Sequence, residues 1–505
     1  MLVTKPEGWI YAAIIELCTL INGKAFKPSD WTERGLPIIR IQNLNNPNAI
    51  FNHFSGEVEA KFLVKKGELL FAWSGTPGTS FGAHIWDGEK AVLNQHIFRV
   101  LFDDKLINKK FFQLAINHKL QYLIAKAQGG VGLAHITKGK FEQTEILLPP
   151  LNEQRRIVEK IEALKARSQR VKEALEDIPQ LLDQFRQSVL AAAFRGDLTA
   201  DWREQNPDVE PASVLLERTA KQLNKNFDEY TKKNDIQGRP FIPDSWVWTP
   251  LDLVIKNIQS GKNFTCPETP VNENTVGLVK ISAVTWGKFD HRETKTVIEK
   301  SKIDPKLFIQ KGDFLISRAN TLELVGASVI VDEINYNIMI SDKIWRVSFL
   351  EVNSNYINSY LKSKAGRKEI ESRATGNQLS MRNISQGAFK DIIIALPPLD
   401  EQKEIVRQIQ YFFKVADTIQ QQYQETKANL ALLDQSILAK AFRGELVPQD
   451  PNDEPASVLL ERIRAERDKL QTKGAKKSTP QTGGRRSKKA SQQEAEPVQL
   501  ELGLE

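Results

Sequence analysis

Two loops of this 505-residue chain collect side chains suited to hydrogen-bonding a nucleic acid. In WSGTPGTSFG, Ser74, Thr76 and Thr79 offer hydroxyls; at the matching place in the second half, after QKGDFLIS, stand Arg318, Asn320 and Thr321. Arg40 and Gln42 follow one apolar run and Lys280 and Ser282 follow its counterpart, while Lys138 and Arg382 precede the last apolar run before a Pro-Pro pair. Hydroxyls, amides and guanidinium groups on loops beside strands are the types that reach base edges, and lysine and arginine are the types that reach phosphates. Any one of these residues is also ordinary solvated surface. The loop after each GELLFAW or GDFLISR run is the strongest as a set, because it diverges between the halves while its supporting run does not.

No catalytic pattern accompanies them. LPPL at Leu148 and Leu396 is similar to the Asn/Asp-Pro-Pro-aromatic box of amino-methyltransferases, but those leucines have no polar group to hold an amine. Leu151 and Leu399 supply no stacking ring. The glycine spacing of WSGTPGTSFG is not a dinucleotide fingerprint, and no P-loop motif occurs. Six histidines and two cysteines show no zinc-ligand spacing, so no metal and no catalysis by this chain alone are expected.

The elements that must position these loops occur twice. LPPLNEQRRIVEKI at Leu148 returns as LPPLDEQKEIVRQI at Leu396, FRGDL at Phe194 as FRGEL at Phe442, and EPASVLLER at Glu210 unchanged at Glu454. Upstream the match weakens: PEGW at Pro6 answers PDSW at Pro243, and HIFRV at His96 answers KIWRV at Lys343. After each Pro-Pro pair, apolar residues alternate by four and three for about five heptads, the pattern of a coiled-coil seam. The seam runs through Ile157, Ile161, Leu164, Val171, Leu175 and Leu182, and in the second copy through Ile405, Ile409, Phe412, Ile419, Leu430 and Leu433. Asn152 and Asp400 are the expected N-caps, and Gly196 and Gly444 the expected stops. Pro179 should kink or interrupt the first helix, where Lys427 leaves the second unbroken. If the helices pair along their length, connectivity makes them antiparallel, with a variable domain at each end. At about 1.5 Å per residue, residues 152–195 would span roughly 66 Å, against about 34 Å for a turn of DNA.

The expected architecture is therefore α+β. Two pseudo-twofold-related domains of short strands and helices, residues 1–148 and 236–396, are joined by helical regions at 149–235 and 397–470. A basic tail at 471–505 has the composition of disorder. Net charge of +7 permits nucleic-acid binding, two cysteines suit a reducing cytoplasm, and no run is long and apolar enough to span a membrane.

The LPPLxEQxxIV phrases, the Q-S-[VI]-L-x-x-A-F-R-G-[DE]-L endings at Gln187 and Gln435, and the two-copy order together resemble the specificity subunit of Type I restriction-modification systems, over residues 1 to about 470. That resemblance implies that each variable part is a target recognition domain reading one half of a bipartite double-stranded DNA site. It implies that the paired helices set the gap and dock two modification subunits, which carry S-adenosylmethionine and methylate adenine. Two motor-nuclease restriction subunits using ATP and Mg would join them, and this chain itself would hold no cofactor. The competing expectations are a helical scaffold for protein partners and a stand-alone DNA-modifying enzyme.

Overall fold

The computed structural model describes residues 5–46, 48–76, 79–126, 134–225, 239–285, 287–378 and 381–475. Of the tail expected at 471–505 to be disordered, residues 471–475 instead end the helix Ala456–Ala475, and the rest lies outside the described residues. Contacts divide the chain into two units, Met1–Val171 with Asn429–Glu505, and Lys172–Ala428.

In unit 1, a four-stranded antiparallel sheet has the order Thr19–Asn22, Ile97–Leu101, Leu69–Ala72, Gly82–Ile85. A second sheet has the order Asn52–Phe54, Leu36–Ile39, Ala91–Leu93, Leu63–Val64, with Leu36–Ile39 parallel to Ala91–Leu93. Unit 2 repeats the first sheet as Ile255–Ser260, Ile344–Phe349, Phe314–Ser317, Ser328–Ile330. It repeats the second with three strands, Thr294–Val297, Val276–Val279 and Ile338–Met339. LLFA and FLIS, the two central strands, are buried at every residue, which is why they read as unbroken apolar runs. In each unit a two-stranded ribbon joins the start of the domain to its end: Ile10–Ala13 pairs with Glu145–Leu148, and Val247–Pro250 with Ile393–Leu396.

The helices that follow the Pro-Pro pairs are Leu151–Leu175 with Ile178–Arg195, and the 44-residue Leu399–Phe442. The expected interruption is present, but just ahead of the proline. The chain leaves the helix at Glu176 and Asp177, and Pro179 falls in the first turn of the next helix, where its missing N–H has no intrahelical partner to lose. The expected N-caps are corrected. The amides of Gln154 and Gln402 already bond the carbonyls of Pro150 and Pro398 at 2.9 Å, so the helices begin on the prolines and Asn152 and Asp400 lie inside the first turn. There Asn152 donates to Asp453 (3.2 Å) and Asp400 accepts from Lys403 (2.7 Å).

Burial along the seam is concentrated near the domains. Ile157 and Ile161 enter the core of unit 1 beside Ile437, Ala441 and Phe442, with Leu164 at its margin. Ile405 and Ile409 enter the core of unit 2 with Val189, Leu190 and Phe194, with Phe412 at its margin. Within unit 2 the packed segments run antiparallel: Leu190 shares a cavity wall with Val406 and Ile409, while Phe185 lies 6.2 Å from Phe412 and Arg186 pairs with Asp417 at 2.9 Å. Leu182 is buried, Leu175 and Leu430 are half-buried, and Val171, Ile419 and Leu433 are exposed.

The FRG phrases end helices in a way that explains the PEGW and PDSW phrases. Gly196 stops its helix at φ +86°, and a Cβ there would stand 2.5 Å from Cγ of Pro243. Gly444, at φ +75°, is crowded by Pro6 in the same manner. A side chain at Gly196 meets both a left-handed backbone and a proline ring. Gly196→Ala is expected to destabilise unit 2 by about 1–3 kcal/mol in chemical denaturation; a change below about 0.5 kcal/mol would mean that the proline seat does not hold the domain.

Candidate nucleic-acid interface

The repeated phrases are fasteners. Glu153 and Glu401, both fully buried, accept hydrogen bonds from the indole Nε1 of Trp9 (2.9 Å) and Trp246 (2.8 Å). The adjacent glutamines act as a pair of clips. Gln154 donates to the Pro149 carbonyl and accepts from the Asn108 amide, and Gln402 does the same with Pro397 and Asn353. The EPAS helices close the arrangement: Ala456 N donates to Gly8 O (2.9 Å) in unit 1, and Ala212 N to Ser245 O (3.0 Å) in unit 2. Matched residues thus hold each mixed domain on its helices, and the loops left free to differ are the candidate interface.

The structure distributes the candidates over two places per domain. Arg40 and Lys280 each stand just before a short helical turn that follows a strand. Arg40 bonds Asn52 Oδ1 at 2.9 Å and lies over the Trp31 ring, and Lys280 pairs with Glu268 at 3.7 Å. Gln42 is exposed, and Ser282 donates to Glu293 at 2.5 Å. The second place is the end of the central strand. Ser74 pairs across a two-residue ladder with His135, and Asn320 pairs in the same way with Arg382. Thr76 and Thr79 are exposed and bonded to one another's loop, and Thr321 accepts from the amides of Leu324 and Val325. Lys138 is exposed, its ammonium donating to Leu20 O at 3.1 Å with Glu142 3.6 Å away.

Sequence reasoning named Arg318 and Arg382 at the junction but missed Trp73, His96, His135, Asp342 and Lys343. Trp73 N donates to His96 O and Ile136 N to Trp73 O; Arg318 N donates to Lys343 O and Ile384 N to Arg318 O. The backbone is the same in both domains and the side chains are not. Domain 1 gathers the Trp73 indole with His96 (5.2 Å) and His135 (4.6 Å), with Gln95 beside His96. Domain 2 gathers Arg318 with Asp342 and Lys343, Arg318 Nε donating to the Asp342 carbonyl at 2.5 Å. Each cluster keeps a buried nitrogen with no hydrogen-bond partner among the described residues, His96 Nδ1 in one and Arg382 Nε in the other. Burial, and then the neighbouring His135, push His96 below the ordinary imidazole value. The signal was available: AWSG aligned with SRAN, and NQH with SDK, change type at the ends of otherwise matched strands.

Two stretches, residues 6–180 and 268–428, match the family model for the Type I restriction modification DNA specificity domain. The chain belongs to the Type I restriction-modification specificity family. It is 30% identical over 492 residues to the EcoKI specificity subunit of Escherichia coli K12, covering 92% of this chain and 96% of that one. It is 28% identical over 485 residues to the EcoBI specificity subunit of Escherichia coli, covering 92% and 94%. The fold is that of the HsdS subunit from Thermoanaerobacter tengcongensis, at TM-score 0.56, 19% identity and coverage of 88% and 98%. A chain from a study of type I R-M complex assembly and conformational transition superposes at TM-score 0.59, with 19% identity and coverage of 88% and 99%. As a specificity-family member the chain is a non-catalytic subunit. Among the described residues, no group of His, Cys, Asp and Glu is placed to hold a metal ion, and no helix is long and apolar enough to cross a membrane.

Proposed function

We propose that this chain is the DNA-reading subunit of a cytoplasmic Type I complex, each mixed domain reading one half of a bipartite duplex target. The helices set the unread gap and dock two modification subunits that bring S-adenosylmethionine. Two restriction subunits bring ATP and Mg. The observation that carries this reading is the pair of clusters at Trp73 and Arg318: one backbone frame, bonded identically, presenting indole and imidazole groups in one domain and guanidinium, ammonium and carboxylate groups in the other. A scaffold has no need to diversify the same spot twice. A reader of two unlike half-sites must, because sequence is read by the donor and acceptor pattern at the groove.

A genome-wide map of methylated adenine, with and without this gene, tests the reading. A split motif that vanishes on deletion supports it, and an unchanged map counts against it. Residue by residue, Arg318→Ala is expected to relax base preference in one half of the motif by about 5- to 150-fold. Preference in the other half should stay intact. Equal weakening at both halves would mean that Arg318 serves the fold and not the reading.

A further inference from the structure

The two fastening glutamates are seated unequally. In unit 2, Glu401 Oε2 accepts from Trp246, and Oε1 accepts both the Thr199 hydroxyl (2.7 Å) and the Arg203 guanidinium (2.6 Å). Arg203 is fixed in turn by donating to the Gly196 carbonyl at 2.7 Å. In unit 1, Glu153 Oε2 accepts from Trp9, but Oε1 is buried with no hydrogen-bond partner among the described residues.

The sequence explains the difference. FRGDLT becomes FRGELV, so Val447 stands where Thr199 supplied a hydroxyl. The FRG phrases are 248 residues apart and the EPAS phrases 244, so the second copy is four residues shorter between them. The helix Ala200–Gln205, which carries Arg203, has no counterpart there. Gln449 takes up the place instead. Its Nε2 lies 3.1 Å from the point where a Cβ on Gly444 would be, as Arg203 Nη1 lies 3.1 Å from that point on Gly196. It is exposed, uncharged and makes no hydrogen bond to Glu153.

Beside Glu153 is a cavity of about 690 Å³ whose other ionisable lining groups are Glu7, Asp450, Asp453 and Lys5. Asp453 is already paired with Arg156 at 2.7 Å, and Lys5 donates to the Trp9 carbonyl at 2.7 Å. The cavity is therefore acidic, and its buried Glu153 carboxylate has no hydrogen-bonded cation, feeling the positive charge only of Arg156, which is itself paired with Asp453. Burial raises the Glu153 carboxyl above its ordinary value against the opposing Trp9 hydrogen bond. A planar guanidinium is the group that unit 2 places at this carboxylate, and its forked donors match a carboxylate better than an ammonium does.

We propose that unit 1 carries a guanidinium socket, in which Glu153 and its cavity accept an arginine side chain presented by a protein partner, as Glu401 accepts Arg203 from its own chain. The socket itself does not depend on the DNA-reading role; only the choice of partner in the test below does.

The test uses the full chain and the melting temperature of its unit 1 transition, with N-acetyl-argininamide and N-acetyl-lysinamide compared at equal concentration. The arginine compound is expected to raise that transition by about 2–4 °C near saturation, and the lysine compound by clearly less. The response should be lost in Glu153→Gln, which keeps the Trp9 bond but removes the charge. It should also be lost in Gln449→Arg, which fills the socket from within and melts higher without ligand. Equal responses to the two compounds, or an unchanged response in both variants, would overturn the socket. Repeating the titration with the modification subunit bound distinguishes the source: a response that disappears supports a partner arginine, and one that persists overturns it in favour of a free guanidinium ligand. Failure of the chain to read DNA would leave the first comparison intact, so the two readings fail separately.

Discussion

Glu401→Ala is expected to destabilise unit 2 by about 3–5 kcal/mol, and Glu153→Ala to destabilise unit 1 by about 1–3 kcal/mol, although the two positions carry the same residue of the same phrase. The difference follows from what each truncation strands. Removing Glu401 leaves the Arg203 guanidinium, three-quarters buried, together with the Trp246 indole and the Thr199 hydroxyl, all without their acceptor. An uncompensated charge held in place by its remaining bond to the Gly196 carbonyl is the costly case. Removing Glu153 strands a single neutral donor, the Trp9 indole, and deletes a carboxylate oxygen that already had no partner among the described residues. Scanning calorimetry on the intact chain reads both: the unit 2 transition should fall well below the unit 1 transition's own shift. Equal costs would mean that Arg203 finds water or another acceptor when Glu401 is lost, and that the fastening is carried by the glutamine clips. Glu401→Gln discharges the pair while its single amide oxygen keeps an acceptor for the Trp246 indole, leaving the Thr199 hydroxyl to accept from the amide nitrogen instead.

What was legible in the sequence was local. Alternation by four and three exposed the helices, since a helical face repeats every few residues. LLFA and FLIS announced central strands because burial on both faces leaves no polar alternation. Pro179 announced a break because its ring acts on its own turn. The fasteners were visible only as repeated words. Trp9 and Glu153 are 144 residues apart, and no periodicity connects PEGW to LPPLxEQ; their hydrogen bond exists only once the ribbon Ile10–Ala13 has paired with Glu145–Leu148. The N-caps were misplaced for a related reason. Asn152 and Asp400 are good capping types, but the buried glutamines two residues later fix the prolines in place and start the helix earlier. At the candidate interface, attention to the loops picked out Arg318 but missed its counterpart Trp73, which belongs to the matched strands by position and to the divergent set by chemistry. Lys138, chosen for its charge, is exposed and also bonds a carbonyl of a strand 118 residues away, a contact that no local pattern announces.

Deleting one seven-residue period from each helix is expected to abolish modification at the native target and to create recognition of a target whose gap is shorter by about three base pairs. The argument is metric. Seven helical residues rise about 10.5 Å, close to three base-pair steps of 3.4 Å. A seven-residue deletion also turns the helix through nearly two whole turns, so the a/d seam stays in register and Ile157, Ile161, Ile405 and Ile409 keep their places in the domain cores. On the duplex, three base pairs correspond to about 100° of rotation at 10 to 10.5 base pairs per turn. The native half-sites would lie about 10 Å too far apart for the shortened rod, while the shorter target fits its length but must be twisted by that angle, so loss at the native target should be near complete and recognition of the shorter one weaker than the parent's. The half-sites themselves should not change, because Trp73, His96, Arg318 and Lys343 sit on domains that the deletion does not touch. Methylation mapping of the deleted variant reads gap and half-sites together. Altered half-sites with an unaltered gap would sink the ruler and transfer the spacing to the domains themselves, while a deletion of three or four residues, which rotates the seam out of register, should instead destabilise the chain.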